Sequence, residues 1–215
     1  MIGIYPFPTT SQGVYMNFMF KVGFKKYYIR MVFPEKSVYY NKYAPRSYND
    51  LRFFSTIDDT VIQDMAHQLN YQMEGRSDNY KAKALLNFFH QNFTYISDEE
   101  QFQIEDVWEL PAHMIKTTKG DCDGFALAYT ALAHNMGLDV VTVVYSSHMA
   151  VAVRLNGKIG WDSIMHDDKE YFIVDPTSRK SKIGIATCDK SIIYITLPSA
   201  PSERFKLKLT HFPTY

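Results

Sequence analysis

Apolar residues recur at every second position from Val14 to Phe33, at three- and four-residue steps from Val61 to Met136, and as β-branched runs from Val140 to Val174. Alternation commits a segment to a half-buried strand and 3.6-residue spacing to an amphipathic helix, so this order restricts the chain to an α+β architecture. Val14, Met16, Phe18, Phe20 and Val22 before Gly23, with Tyr27, Ile29, Met31 and Phe33 after it, predict a β-hairpin. Val61, Ile62, Met65, Ala66, Leu69 and Met73 predict a helix capped at Ser55 or Thr56. After a loop at Gly75–Asn79, the stripe Ala82, Leu85, Leu86, Phe89, Phe93 predicts another, with His90 at its boundary. The sharpest shift in composition lies near residue 55, which divides the chain into an aromatic-rich basic β extension (1–55) and a second unit (56–215).

With 46% hydrophobic and 21% charged residues, the chain has the composition of a globular domain rather than a disordered or fibrous one. Lys plus Arg (23) equals Asp plus Glu (23), so the molecule as a whole has no net field toward a membrane or nucleic acid, and any function must live in a local site. Residues 1–54 are a local exception, with eight basic residues, two acids and fifteen Phe and Tyr. Interleaved rings and cations can bind single-stranded nucleic acid, but a half-buried sheet with lysines on its wet face accounts for the same pattern and is preferred. No apolar run reaches the roughly 20 residues of a membrane helix, and Met1–Pro8 lacks the basic and apolar regions of a secretory signal. The expectation is therefore a soluble protein, cytoplasmic by default, with no membrane partner. Cys122 and Cys188 are too few for a disulfide framework.

The most informative stretch is Gly120-Asp121-Cys122-Asp123-Gly124-Phe125, which opens an apolar helix ending at Met136 with Gly137 at C′. A thiol at a helix N-terminus meets the positive end of the macrodipole and unpaired N–H groups, which favour the thiolate. Asp121 and Asp123 oppose this unless they cap the helix or bind a cation. A nucleophilic thiol also needs a base and a group that orients the base. His148 opens a strand of small apolar residues and Asp175 closes a later one. Pairing these strands as one long antiparallel hairpin sets the two side by side. A tight turn at Asn156-Gly157 would instead put His148 opposite Met165, so residues 156–170 must form an excursion or an added strand. His134 lies about 18 Å along the helix from Cys122. His166 reads as a loop residue, and His113 is a minor rival base approaching from the acidic side. Residues 98–109 carry six acids and no base, a pattern that usually marks a solvated loop. Cys188 has no such context and reads as an ordinary thiol, and Ser191–Leu197 and Phe205–Leu209 read as edge strands of the core sheet.

Three motifs, Gly120-Asp121-Cys122-Asp123-Gly124-Phe125-Ala126, His148-Met149-Ala150-Val151 and Val174-Asp175-Pro176-Thr177, resemble the transglutaminase-like superfamily in order and spacing. Trp108-Glu109-Leu110-Pro111 is similar to the segment preceding the cysteine in its bacterial cysteine peptidases. The resemblance covers about residues 56–178. It implies a papain-like core with the helix-start cysteine packed on an antiparallel sheet, Cys122 as nucleophile, His148 as base and Asp175 as its partner. The Cys122 N–H would be one oxyanion donor, with Gln103 or Trp108 supplying the second. In some of those peptidases acids flanking the cysteine bind calcium. Asp121 and Asp123 match them in type, with Glu109 or Asp106 as companions, and helix capping is the competing role. No other cofactor is implied. The chain departs from the family in the long His148 to Asp175 interval of 27 residues and in His113, which stands where many of the peptidases have glutamate. The function so implied is hydrolysis of a peptide or isopeptide bond in a protein or peptide substrate. Transamidation and a non-catalytic binding module are the alternatives.

Overall fold

The computed structural model describes residues 13–34, 51, 59–157, 159–185 and 191–198. Cys188 and the strand anticipated at 205–209 lie outside the described residues. The anticipated hairpin forms from β1 (Gly13–Val22) and β2 (Lys25–Pro34), paired antiparallel with Val22 opposite Lys25. Gly23, at φ +58°, supplies the left-handed turn residue. Phe18, Phe20, Val22, Tyr27, Ile29, Met31 and Phe33 all face inward and are buried.

That inner face lies on α1 (Thr60–Gln72) and α2 (Asp78–Asn92). Phe20 stacks on Tyr27 at 5.0 Å and meets Phe88 edge-on at 5.5 Å, so ring contacts join the hairpin to the main core. Side-chain amides engage both hairpin edges, at Tyr28 and Arg30 on one and at Lys21 on the other. Gln72 accepts from Tyr28 N and donates to Tyr28 O, and Gln68 does the same for Arg30. On the other edge Gln91 accepts from Lys21 N and donates to Lys21 O. A primary amide offers the donor and acceptor of a peptide group, so each glutamine stands in for a neighbouring strand. The N-cap of α1 is Asp59, which accepts from Val61 N at 2.9 Å, rather than Ser55 or Thr56.

The acidic run is not a solvated loop. Its first residues form α3 (Asp98–Phe102), and Asp98 and Glu109 are buried. A short parallel ladder follows between β3 (Thr94–Tyr95) and β4 (Lys119–Gly120), with α4 (Pro111–Thr117) between them in sequence. The central helix, α5 (Cys122–Asn135), is buried along nearly its whole length and ends before Gly137 at φ +82°. It lies against an antiparallel sheet with strand order β7-β8-β6-β5-β9. The strands are β5 (Val140–Tyr145), β6 (Met149–Val153), β7 (Ser163–His166), β8 (Lys169–Val174) and β9 (Ile192–Thr196). Val151, Val153, Phe172 and Val174 join the core shared with the helices. Ala150, Ala152, Tyr171 and Ile173 form a second apolar layer on the other face. Burial on both faces explains why these strands read as continuous apolar runs.

Residues 156–170 do contain an added strand, β7, which places His166 in a strand rather than a loop. Asn156-Gly157 does not form a tight hairpin turn. Asn79 clasps the Asn156 backbone, accepting from its N–H at 3.2 Å and donating to its carbonyl at 2.9 Å, and the chain runs on toward Gly160. There it crosses Gly184 so closely that a Cβ on Gly160 would lie 2.4 Å from the Gly184 carbonyl oxygen.

Candidate active site

Cys122 occupies the first position of α5 and is half-buried. Asp121 precedes it as N-cap, its Oδ1 accepting from Asp123 N at 3.1 Å and Gly124 N at 3.2 Å. The backbone amides of Met149 and Asp123 act to lower the thiol pKa. These contacts favour the thiolate but do not dominate. Burial first, then the Asp121 and Asp123 carboxylates, push the thiol up to about 12. A thiol held so high would need an adjacent base in order to act as a nucleophile.

The imidazole of His148 supplies one in type. Met149, whose amide favours the thiolate, is the next residue along the chain. His148 sits in the turn between β5 and β6, where its carbonyl accepts from Tyr145 N at 2.8 Å and the Tyr145 ring stacks on its own at 6.5 Å. Its Nε2 lies 3.3 Å from Asp175 Oδ2, close enough for an ion pair though not aligned as a hydrogen bond. That contact leaves Nδ1 as the ring nitrogen free for another partner. Asp175 is almost wholly buried and held from several sides. Its Oδ1 accepts from the Thr177 amide at 3.1 Å and from the Thr177 hydroxyl, and its carbonyl accepts from Ser181 Oγ. Behind this turn, His90 Nε2 lies 3.4 Å from Ser181 Oγ, and burial keeps the His90 imidazole below its ordinary range.

A family model described as the transglutaminase-like superfamily matches residues 66–176, just over half of the chain. The chain belongs to the transglutaminase-like superfamily. The mixed architecture and antiparallel sheet are the fold anticipated from the resemblance, and the N-terminal hairpin is the extension anticipated from the alternation of residues 14–33. Among solved structures, Legionella pneumophila LapG is 21% identical, with 65% of this chain and 77% of that one covered and a TM-score of 0.42. EGTA-treated LapG from the same organism is 20% identical, with coverages of 69% and 80% and a TM-score of 0.44. A structure described as a TGase is 18% identical, with coverages of 69% and 38% and a TM-score of 0.38. No curated protein matches significantly.

The acids of this transglutaminase-like domain divide into two roles. Asp121 is engaged in capping, whereas Asp123 turns to Asp98 and Asp106, and the three can bring one carboxylate oxygen each within 4.8 Å of one another. Asp123 Oδ1 is buried without a hydrogen bond, and burial, followed by Asp121, pushes its carboxyl well up. Glu109 stands apart from that group. Its Oε1 pairs with His113 Nδ1 and accepts from Gln101, while its Oε2 lies only 3.0 Å from where a Cβ on Gly120 or on Gly124 would stand. The two glycines bracketing the cysteine thus make room for a buried carboxylate.

The remaining candidates fall in varied places. Gln103 is exposed at the left-handed C-cap of α3, and Trp108 is buried in the main core. His113 faces Glu109, and His134 lies in the last turn of α5. Sequence reasoning passed over Tyr95, which is 55% exposed beside the thiol. Its phenol is pushed up by burial first and then by Cys122 and the neighbouring acids. Only the β3–β4 ladder brings it there, since Tyr95 pairs with Gly120 and Ile96 N donates to Gly120 O at 2.9 Å.

Proposed function

We propose that this chain is a cysteine hydrolase of peptide or isopeptide bonds acting through Cys122, His148 and Asp175. The observation that carries the reading is the approach of His148 Nε2 to Asp175 Oδ2, in a turn whose next residue, Met149, has an amide that favours the Cys122 thiolate. In the first step Nδ1 of His148 takes the thiol proton as sulfur attacks the carbonyl carbon. The concerted transfer suits a thiol pushed up to about 12, because no free thiolate has to accumulate. Asp175 steadies the imidazolium so formed. The imidazolium then protonates the amide nitrogen, the C–N bond breaks and a thioester remains. Water, losing its proton to His148, attacks the thioester and releases acid and thiol. The Cys122 N–H is a natural oxyanion donor, and Gln103 or Trp108 would need a rearrangement of its surroundings to add a second.

The donor set near Asp123 fits calcium, since a hard cation takes oxygen ligands and the buried Asp123 Oδ1 has no hydrogen bond. Asp98, Asp106 and Asp123 would hold it, with Asp121 remaining as cap. A bound ion supplies positive charge next to the turn that carries the thiol.

The deciding experiment is mass spectrometry of a peptide and isopeptide library incubated with the wild type, Cys122→Ala and His148→Ala, with and without an amine donor. Hydrolysis products from the wild type alone support the reading. Amine adducts in place of hydrolysis would make the chain a transamidase, and identical mixtures from all three proteins would remove the enzymatic assignment.

A further inference from the structure

The outer face of the hairpin has a composition that its fold does not require. Residues 13–34 contain Lys21, Lys25, Lys26 and Arg30 and no acid. Lys21 and Lys26 are direct cross-strand partners. Because the Lys21 N–H and carbonyl both go outward to Gln91, the two lysines form a pair without ladder hydrogen bonds, the kind in which side chains stand closest. Like charges facing each other in this way destabilise a sheet, and no carboxylate among residues 13–34 offsets them. The next pair along is Met19 with Tyr28, both well exposed, followed by Asn17 with Arg30. At the apex, on the two-residue turn, Phe24 is 109% exposed, so its ring touches nothing. Lys25 is drawn inward over the Tyr27 ring, which leaves Lys21 and Lys26 as the cations nearest the apex on the outer face.

We propose that this hairpin tip docks on an anionic phospholipid bilayer, Phe24 entering the boundary between headgroups and acyl chains while Lys21 and Lys26 meet lipid phosphates. An apolar ring that projects furthest, with cations immediately behind it, is the arrangement an anionic interface rewards. Gln91 at Lys21 and Gln72 at Tyr28 already hold the edge backbone next to the tip, so an acidic polypeptide meeting the tip would have only side chains to hold there. Single-stranded nucleic acid needs rings along its path. Tyr28 and Tyr15 stand on opposite strands, separated by the Asn17–Arg30 pair. The balanced total charge hides this tip, because attraction to a surface depends on the charge that faces it.

Co-sedimentation of the full chain with phosphatidylcholine vesicles, with and without phosphatidylserine, tests the assignment. Binding is expected only with phosphatidylserine, to weaken about fivefold for each of Lys21→Gln and Lys26→Gln, and to be lost in Phe24→Ser. These side chains are exposed, so circular dichroism of each variant should match the wild type. A Phe24→Trp variant should show a blue-shifted emission on those vesicles. The proposal is overturned by no binding, by binding that Phe24→Ser leaves intact, or by displacement from vesicles by oligo-dT or polyglutamate. None of these outcomes depends on turnover at Cys122.

Discussion

His148 Nε2 approaches Asp175 Oδ2 to 3.3 Å although the two residues are not cross-strand partners. The β6–β8 register pairs Val151 with Val174, so its continuation sets Asp175 opposite Ala150, one diagonal step from His148. Diagonal neighbours lie about 7–8 Å apart at Cα, within reach of an imidazole and a carboxylate. Asp175→Asn keeps the oxygen that Thr177 uses but removes the charge that steadies an imidazolium. The expected result is a loss of kcat on the order of 10³-fold or more with little change in Tm, measured on whichever substrate the library identifies.

The thiol gives a stability signature independent of turnover. Its folded pKa lies above the ordinary value of 9.0, at about 12, with burial the main cause. Below pH 9 both folded and unfolded states keep the proton. Between pH 9 and pH 12 the unfolded state releases it first, so stability falls as pH rises through that window. Cys122→Ser should flatten this decline, by at most about 4 kcal/mol at its upper end. Urea midpoints of the two proteins across the alkaline range check it, and parallel curves would contradict it.

Gly124→Ala would ordinarily help a helix by about 1 kcal/mol. Here the new Cβ meets Glu109 Oε2 at 3.0 Å, so the change is expected to destabilise by about 1–3 kcal/mol. Combining it with Glu109→Ala should recover part of the loss. A double-mutant cycle by urea denaturation measures the coupling, and additivity would separate the two residues.

Calcium should raise the Tm of the wild type and not that of Asp123→Asn. At a free concentration 100 times Kd the gain is about 2.7 kcal/mol, several degrees for a chain of this size. Thermal melts with calcium or a chelator, together with direct titration calorimetry, read this without a substrate. Equal responses from the two proteins would place the ion elsewhere.

The approach of His148 to Asp175 was legible in the sequence, because two strand ends carry strong local signals, as does the helix start at Cys122. The exact register was not, because it is set across the excursion between β6 and β8, whose start is met by Asn79 clasping Asn156, a contact 77 positions apart in the chain. Burial of Asp98 and Glu109 was equally hidden. An acidic run looks the same in solution or against a neighbour, and here Val107 N, His113 and Gln101 draw these acids inward. Asp121 and Asp123 are alike in sequence, and only the direction of the first turn of α5 gives one to capping and the other to the Asp98 cluster. Tyr95 carried no signal at all, since its place beside the thiol depends on a two-residue ladder.

Gln68, Gln72 and Gln91 occupy hydrogen-bonding positions where a further strand would otherwise attach to the N-terminal ribbon. Pairing at those three residues is thereby pre-empted, so a stray extended chain would have to displace a glutamine to run the length of either edge. β7 and β9 are the outer strands of the five-stranded sheet, and a crowded or partly unfolded population should associate through strand edges that no side-chain amide occupies.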